Sequence, residues 1–144
     1  MERWEYQEWI EDSILEILED ANLGVNMIIF GDRVRVNELR PPALWIVPAD
    51  SRCTQSGIGE DWAYEFGVSA VVKDTDPKKG RRKAKKIASQ AASALKKSHN
   101  LKQSVRNVEL TGSLTGDLGG MGAEQLHSAG YVMEAKFRYL EREA

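Results

Sequence analysis

The chain has 144 residues, a single cysteine and a formal net charge of −2. It therefore suits one domain of ordinary globular make-up, and its mean charge selects no partner. Cys53 has no second cysteine to pair with, Met1-Glu2-Arg3-Trp4-Glu5 lacks the apolar core of a signal peptide, and no run approaches the roughly 18 apolar residues of a membrane span. These features predict a protein kept in a reducing cytosol, with no membrane contact and no disulfide.

The mean charge conceals an asymmetry. Residues 1–20 hold eight acids against Arg3, a balance of −7. Residues 73–102 hold eleven bases against Asp74 and Asp76, a balance of +9. On paper the protein is a dipole.

Taken in chain order, residues 4–21 read as a helix. Ile10, Ile14, Ile17, Leu18 and Ala21 recur at 3.6-residue spacing, with Trp9 at the border. The acids, Glu8, Glu11, Asp12, Glu16 and Glu19 among them, take the other face, and Gly24 is placed to cap the end. Asn26–Phe30 and Arg33–Val36 flank Gly31-Asp32, which predicts a hairpin. Between Pro42 and Pro48 the run Ala43-Leu44-Trp45-Ile46-Val47 reads as a strand apolar on both faces. Residues 49–61 are polar, contain Gly57 and Gly59, and read as a loop.

From Trp62 the pattern alternates. Trp62, Tyr64, Phe66, Val68, Ala70 and Val72 share one face of a long strand over 62–72, which should pair with 43–47. Asp74–Gly80 reads as a loop, with Thr75 or Asp76 to cap and Pro77 in the first turn of a helix over 78–97. Its apolar stripe is Ala84, Ile87, Ala88, Ala91, Ala94 and Leu95, shallow enough to lie close on a sheet. Val105, Val108 and Leu110 mark a strand over 104–111. Residues 112–130 hold six glycines and read as a flexible loop, within which Leu114, Leu118, Met121 and Leu126 are candidate docking residues. Tyr131, Met133, Ala135, Phe137 and Tyr139 then alternate with charged residues in a final strand. The order predicts a single α+β domain over 1–144, with a mostly antiparallel sheet of about five or six strands and both helices on one face. There is no internal repeat, linker or low-complexity tail.

Catalytic and metal readings lose to simpler ones. His99, His127 and Cys53 have no short ligand spacing, so a metal site is not expected. Cys53 lies in Arg52-Cys53-Thr54 with no adjacent base, and no GxSxG occurs. The glycines of 116–122 lack the Gly-Lys-Ser/Thr and the following helix that a phosphate loop requires. No enzyme activity and no cofactor are expected.

The basic run is the strongest single feature. Lys78, Lys79, Arg81, Arg82, Lys83, Lys85 and Lys86 put seven cations in nine residues at a helix start. The helix dipole opposes cations there, so local stability does not explain them. Three readings stay open: a phosphate-contacting patch, a solvated face, or a contact with an acidic protein surface such as residues 1–20. Against the first, the chain is net acidic and has no aromatic between Phe66 and Tyr131 to stack a base. Trp4 and Tyr6 precede the main apolar stripe and suit either the edge of the core or a neighbour's surface.

An acidic first helix, a proline-bracketed apolar strand from Pro42 to Pro48, the alternating strand 62–72, the Ala-rich helix 78–97 and two last strands around a Gly-rich loop resemble, across nearly the whole chain, the tail-terminator and tail-completion proteins of long-tailed phages and related archaeal viruses. The resemblance lies in the order and spacing of elements; the 26–36 hairpin and the charge of the 78–86 helix start fall outside it. It implies a non-enzymatic virion protein assembled in the host cytoplasm. Its copies form a ring, commonly a hexamer, at the head-proximal end of the tail. The ring ends the tail tube and joins it to head-connector proteins. Other neck or capsid accessory proteins share the layout, and a small DNA-contacting module using 78–86 is the alternative. A ring needs head-to-tail complementarity, which the −7 and +9 segments offer either between subunits or within one.

Overall fold

The computed structural model describes residues 2–31, 38–55, 57–98, 101, 104–117 and 126–140, with the backbone alone for 55 and 115–117. Two helices and five strands follow in the order α1 (Arg3–Asp20), β1 (Met27–Phe30), β2 (Ala43–Gln55), β3 (Gly59–Lys73), α2 (Pro77–Lys97), β4 (Asn107–Asp117) and β5 (Leu126–Leu140). The strands form one sheet ordered β1-β2-β3-β5-β4. All pairings are antiparallel except β1 with β2. This is an α+β fold with a mostly antiparallel sheet, as the hydrophobic patterning predicts.

β3 and β5 are the spine. They pair without interruption from Gly59 opposite Leu140 to Lys73 opposite Leu126. One face carries Tyr64, Phe66, Val68 and Ala70 of β3, Ala129, Met133, Ala135 and Phe137 of β5, and Leu44 and Ile46 of β2. Both helices cover this face and share one core with it. α1 contributes Ile10, Ile14, Ile17 and Leu18, all buried. α2 contributes Ala84, Ala88, Ala91, Ala92 and Leu95. The small alanines let α2 approach the sheet closely, and Gly80 marks the tightest point. A Cβ on Gly80 would overlap the imidazole of buried His127.

β1 lies parallel to β2, Met27 opposite Ala43, and the second arm of the hairpin expected from 33–36 falls outside the described residues, which omit 32–37. Three sequence expectations are corrected. The polar stretch 49–61 is mostly strand, since β2 runs on to Gln55 and β3 starts at Gly59. The register shifts between Pro48 and Ser51 and again between Cys53 and Gln55, as expected of a strand that absorbs a proline at a bulge. The loop expected at 112–130 shrinks in the same way, because 112–117 extend β4 and 126–130 extend β5. Only 118–125, with candidate residues Leu118 and Met121, fall outside the described residues there. Finally, His127, which the expected 112–130 loop would contain, lies on β5 and is 3% exposed inside the fold.

Candidate interaction surfaces

Ion pairs and packing fix the end of the sheet over which each helix starts. At one end, Arg3 of α1 meets Glu60 through two hydrogen bonds, Nε to Oε1 at 2.8 Å and Nη2 to Oε2 at 2.9 Å. The Arg3 guanidinium also sits 4.7 Å from the centre of the Tyr139 ring. Tyr6 stacks on Phe137 and meets Tyr139 edge-on, with ring centres 5.9 and 5.7 Å apart. α1 therefore starts over the Gly59–Leu140 end. Arg3 and Trp62 together hold the Glu60 carboxyl down at about 2.

At the other end, Lys83 Nζ lies 2.8 Å from Asp74 Oδ2, and His127 sits under Gly80. Only a hydrogen on Nε2 can satisfy the contact between His127 and the Asp74 carbonyl, at 3.1 Å, since a carbonyl only accepts. α2 therefore starts over the Lys73–Leu126 end. β3 spans fifteen residues between the two ends, roughly 45 Å at ~3.3 Å per residue. The start of the acidic helix and the start of the basic helix lie at opposite ends of the long axis.

The acidic face of α1 is solvent-exposed at Glu8, Asp12, Glu16 and Glu19. Glu11 differs. It leans over β3 and accepts a 3.0 Å hydrogen bond from Tyr64 Oη. Burial raises its carboxyl pKa, Tyr64 opposes that, and the charges of Glu8 and Asp12 add to it. Tyr64 in turn is pushed well above the ordinary phenol range, first by burial and then by the Glu11 charge.

All seven cations of the α2 start, Lys78, Lys79, Arg81, Arg82, Lys83, Lys85 and Lys86, are exposed. The helix end carries its own anion: Asp76 Oδ1 accepts from the backbone N–H of Lys78 at 3.0 Å and of Lys79 at 3.4 Å. A carboxylate thus already holds the position where a phosphate would meet the helix N-terminus. Lys83, with help from the Asp76 backbone N–H, lowers the Asp74 carboxyl.

The sheet face turned away from the helices divides in two. Toward the Lys73 end it is apolar and small: Trp45, Val47, Gly67, Ser69, Val71, Gly130, Val132 and Leu114 lie in register across four strands. Trp45 Nε1 donates to the Gly31 carbonyl at 2.7 Å. Toward the other end, Glu65, Glu134 and Glu109 lie side by side on β3, β5 and β4. Arg52 offsets Glu134 and Lys136 offsets Glu109, each at 3.3 Å.

Two of the candidate docking residues are visible and behave differently. Leu114 is half-exposed on β4, whereas Leu126 is buried at the start of β5 and belongs to the fold. Cys53 is exposed on β2 opposite Trp62, while His127 lies opposite Val72, ten positions further along β3. That separation, roughly 33 Å, keeps thiol and imidazole apart. Among the described residues no group of three or more His, Cys, Asp or Glu side chains is placed to hold a metal ion, and no helix is long and apolar enough to cross a membrane.

No protein-family model and no curated protein matches this sequence.

Proposed function

We propose that this chain is a structural subunit of a homo-oligomeric ring, the ring at the head-proximal end of a viral tail that ends the tail tube and joins it to the head connector. The carrying observation is the segregation of charge. The acidic helix starts over one end of the sheet and the seven exposed cations stand at the other. A closed ring needs two different, complementary patches on one subunit. Roughly 45 Å along β3 separates the start of α1 from the start of α2, so the first-turn acids and the seven cations can face different neighbours. The layout of elements that resembles tail terminators supports the same reading.

The alternative, sequence-blind contact of 78–86 with nucleic acid, is less favoured because Asp76 already fills the helix N-terminus and Asp74 already neutralises Lys83. Light scattering of the purified chain across salt concentrations tests both. The ring reading expects a mass several times that of one chain, falling as salt screens the junctions. Replacing Lys83, Lys85 and Lys86 together by Glu should leave a folded chain with the mass of one subunit. An unchanged mass for that variant would sink the charge-mediated junction. A steeply salt-dependent gel shift with unrelated duplexes, on a chain that stays monomeric, would favour the nucleic-acid alternative.

A further inference from the structure

Five large apolar side chains stand out into solvent among the described residues: Trp4, Ile58, Leu110, Leu114 and Leu140. Three of them gather at one end. Trp4, 58% exposed, projects from the first turn of α1, next to the Arg3–Glu60 pair. Ile58, 96% exposed, sits one residue before Gly59, and Gly59 lies opposite Leu140. Carboxylates surround this apolar tip. Glu2 accepts from Trp4 Nε1 at 2.7 Å, Glu5 closes the capping box with Glu2, and Glu8 lies one turn along from Trp4. An isolated exposed leucine needs no explanation, but an exposed tryptophan, isoleucine and leucine at one tip do.

At the opposite end a cavity of about 440 Å³ opens between Pro41-Pro42 and α2. Leu23, Pro42 and Ile87 make its apolar lining, and Lys83 and Lys86 stand among its lining residues with Gln90. An apolar recess favours an aromatic or aliphatic group. Ammonium groups at its rim favour carboxylates and also the face of an indole. A tryptophan flanked by carboxylates satisfies both demands at once. The chain displays that group at Trp4, but at the far end of β3, out of reach of its own cavity.

We infer that the Trp4 tip of one subunit inserts into the Pro42–Ile87 cavity of the next, so that a second copy of this chain is the occupant. The contact is head-to-tail and self-propagating, and Trp4 is its anchor. Carboxylates Glu2, Glu5 and Glu8 then face the cations at the start of α2. This junction rests on the proposed ring and specifies where its subunits touch.

The test uses two variants at exposed positions, each checked for folding by circular dichroism. Trp4→Ala removes the anchor, and Lys86→Glu/Gln90→Glu spoils the cavity rim. Each alone should weaken self-association at least about thirty-fold, the loss typical of an interface anchor, while Trp4→Phe should recover most of it. Mixed in equal amounts, the two variants still share one intact tip and one intact cavity. They should form pairs with the mass of two chains and nothing larger, because the remaining tip and cavity are both defective. If Trp4→Ala keeps the full wild-type association, the junction lies elsewhere and the ring reading survives. If both variants are monomeric but the mixture forms no pairs, the two ends are not partners and the inference falls. A wild-type chain that stays monomeric at every concentration would overturn the ring reading and this junction together.

Discussion

Glu11 shows how a residue can look like a surface acid and behave otherwise. Its spacing in the sequence puts it on the polar face of α1, yet the helix leans over β3 and brings it against Tyr64. Burial then lifts its carboxyl above the ordinary 4.5. A carboxyl with a raised folded value favours folding fully only below its unfolded value, and that gain is lost as pH rises through the folded value. At pH 7 the ionised Glu11 therefore works against the fold. Glu11→Gln keeps an acceptor for Tyr64 and removes the charge, so it should melt at a higher temperature than the wild type at pH 7. The difference should shrink toward pH 4, and thermal melts at both pH values check it. Glu60 has the opposite sign: Arg3 holds it near 2, so its contribution is present above its unfolded value and fades only as pH falls toward 2. Neither behaviour is legible in the sequence, because both depend on which strand passes beneath α1. The same holds for His127, whose buried place follows only from β5 starting at Leu126, five residues earlier than the alternation of aromatics announces.

At the scale of elements, the helices and the cores of the long strands were legible because their apolar residues repeat at 3.6 or 2 along the chain. The ends of β2, β3, β4 and β5 were not. There the residues are glycine, serine and charged types with weak strand preference, and pairing with a neighbouring strand holds them extended. The parallel partner of β1 was hidden because the apolar Ala43–Ile46 is distant in the chain, and only the fold brings it beside Met27–Phe30. The seat of α2 on the sheet carries a prediction. At an open helix position, Gly→Ala stabilises by about 1 kcal/mol through backbone propensity. At Gly80 the new methyl would meet the His127 ring, which its hydrogen bond to Asp74 and its burial hold in place. The overlap should win, and Gly80→Ala should cost about 1–3 kcal/mol. In a His127→Ala background the same change should become neutral or favourable. A double-mutant cycle by urea denaturation measures that coupling, and additivity of the two changes would refute the packing argument.

At the scale of the molecule, the charge imbalance was readable by counting, but its meaning was not. A −7 segment and a +9 segment can neutralise each other or stand apart, and the sequence leaves both open. The fold holds their starts apart, because α1 begins over the Gly59 end and α2 over the Lys73 end. The seam between β3 and β5 that sets this distance has a further consequence, in the time the chain needs to fold. β2 with β3, and β4 with β5, are joined by short connections and can close locally. The seam joins Gly59 to Leu140 and Lys73 to Leu126 across the whole of α2 and β4. Loop entropy must be overcome before any of its pairs form, so closing the seam is the slow step. Met133, buried on the seam, and Leu44, buried on β2, should each cost about 2–5 kcal/mol when cut to Ala. Met133→Ala should act mainly by slowing refolding, because the seam forms in the slow step, and so should Leu44→Ala, because the β2–β3 pair that holds it closes before then; a change confined to the unfolding arm of a denaturant chevron would refute that order. The subunit would thus complete its long axis last, and its two ends would become a matched pair only in the final event of folding.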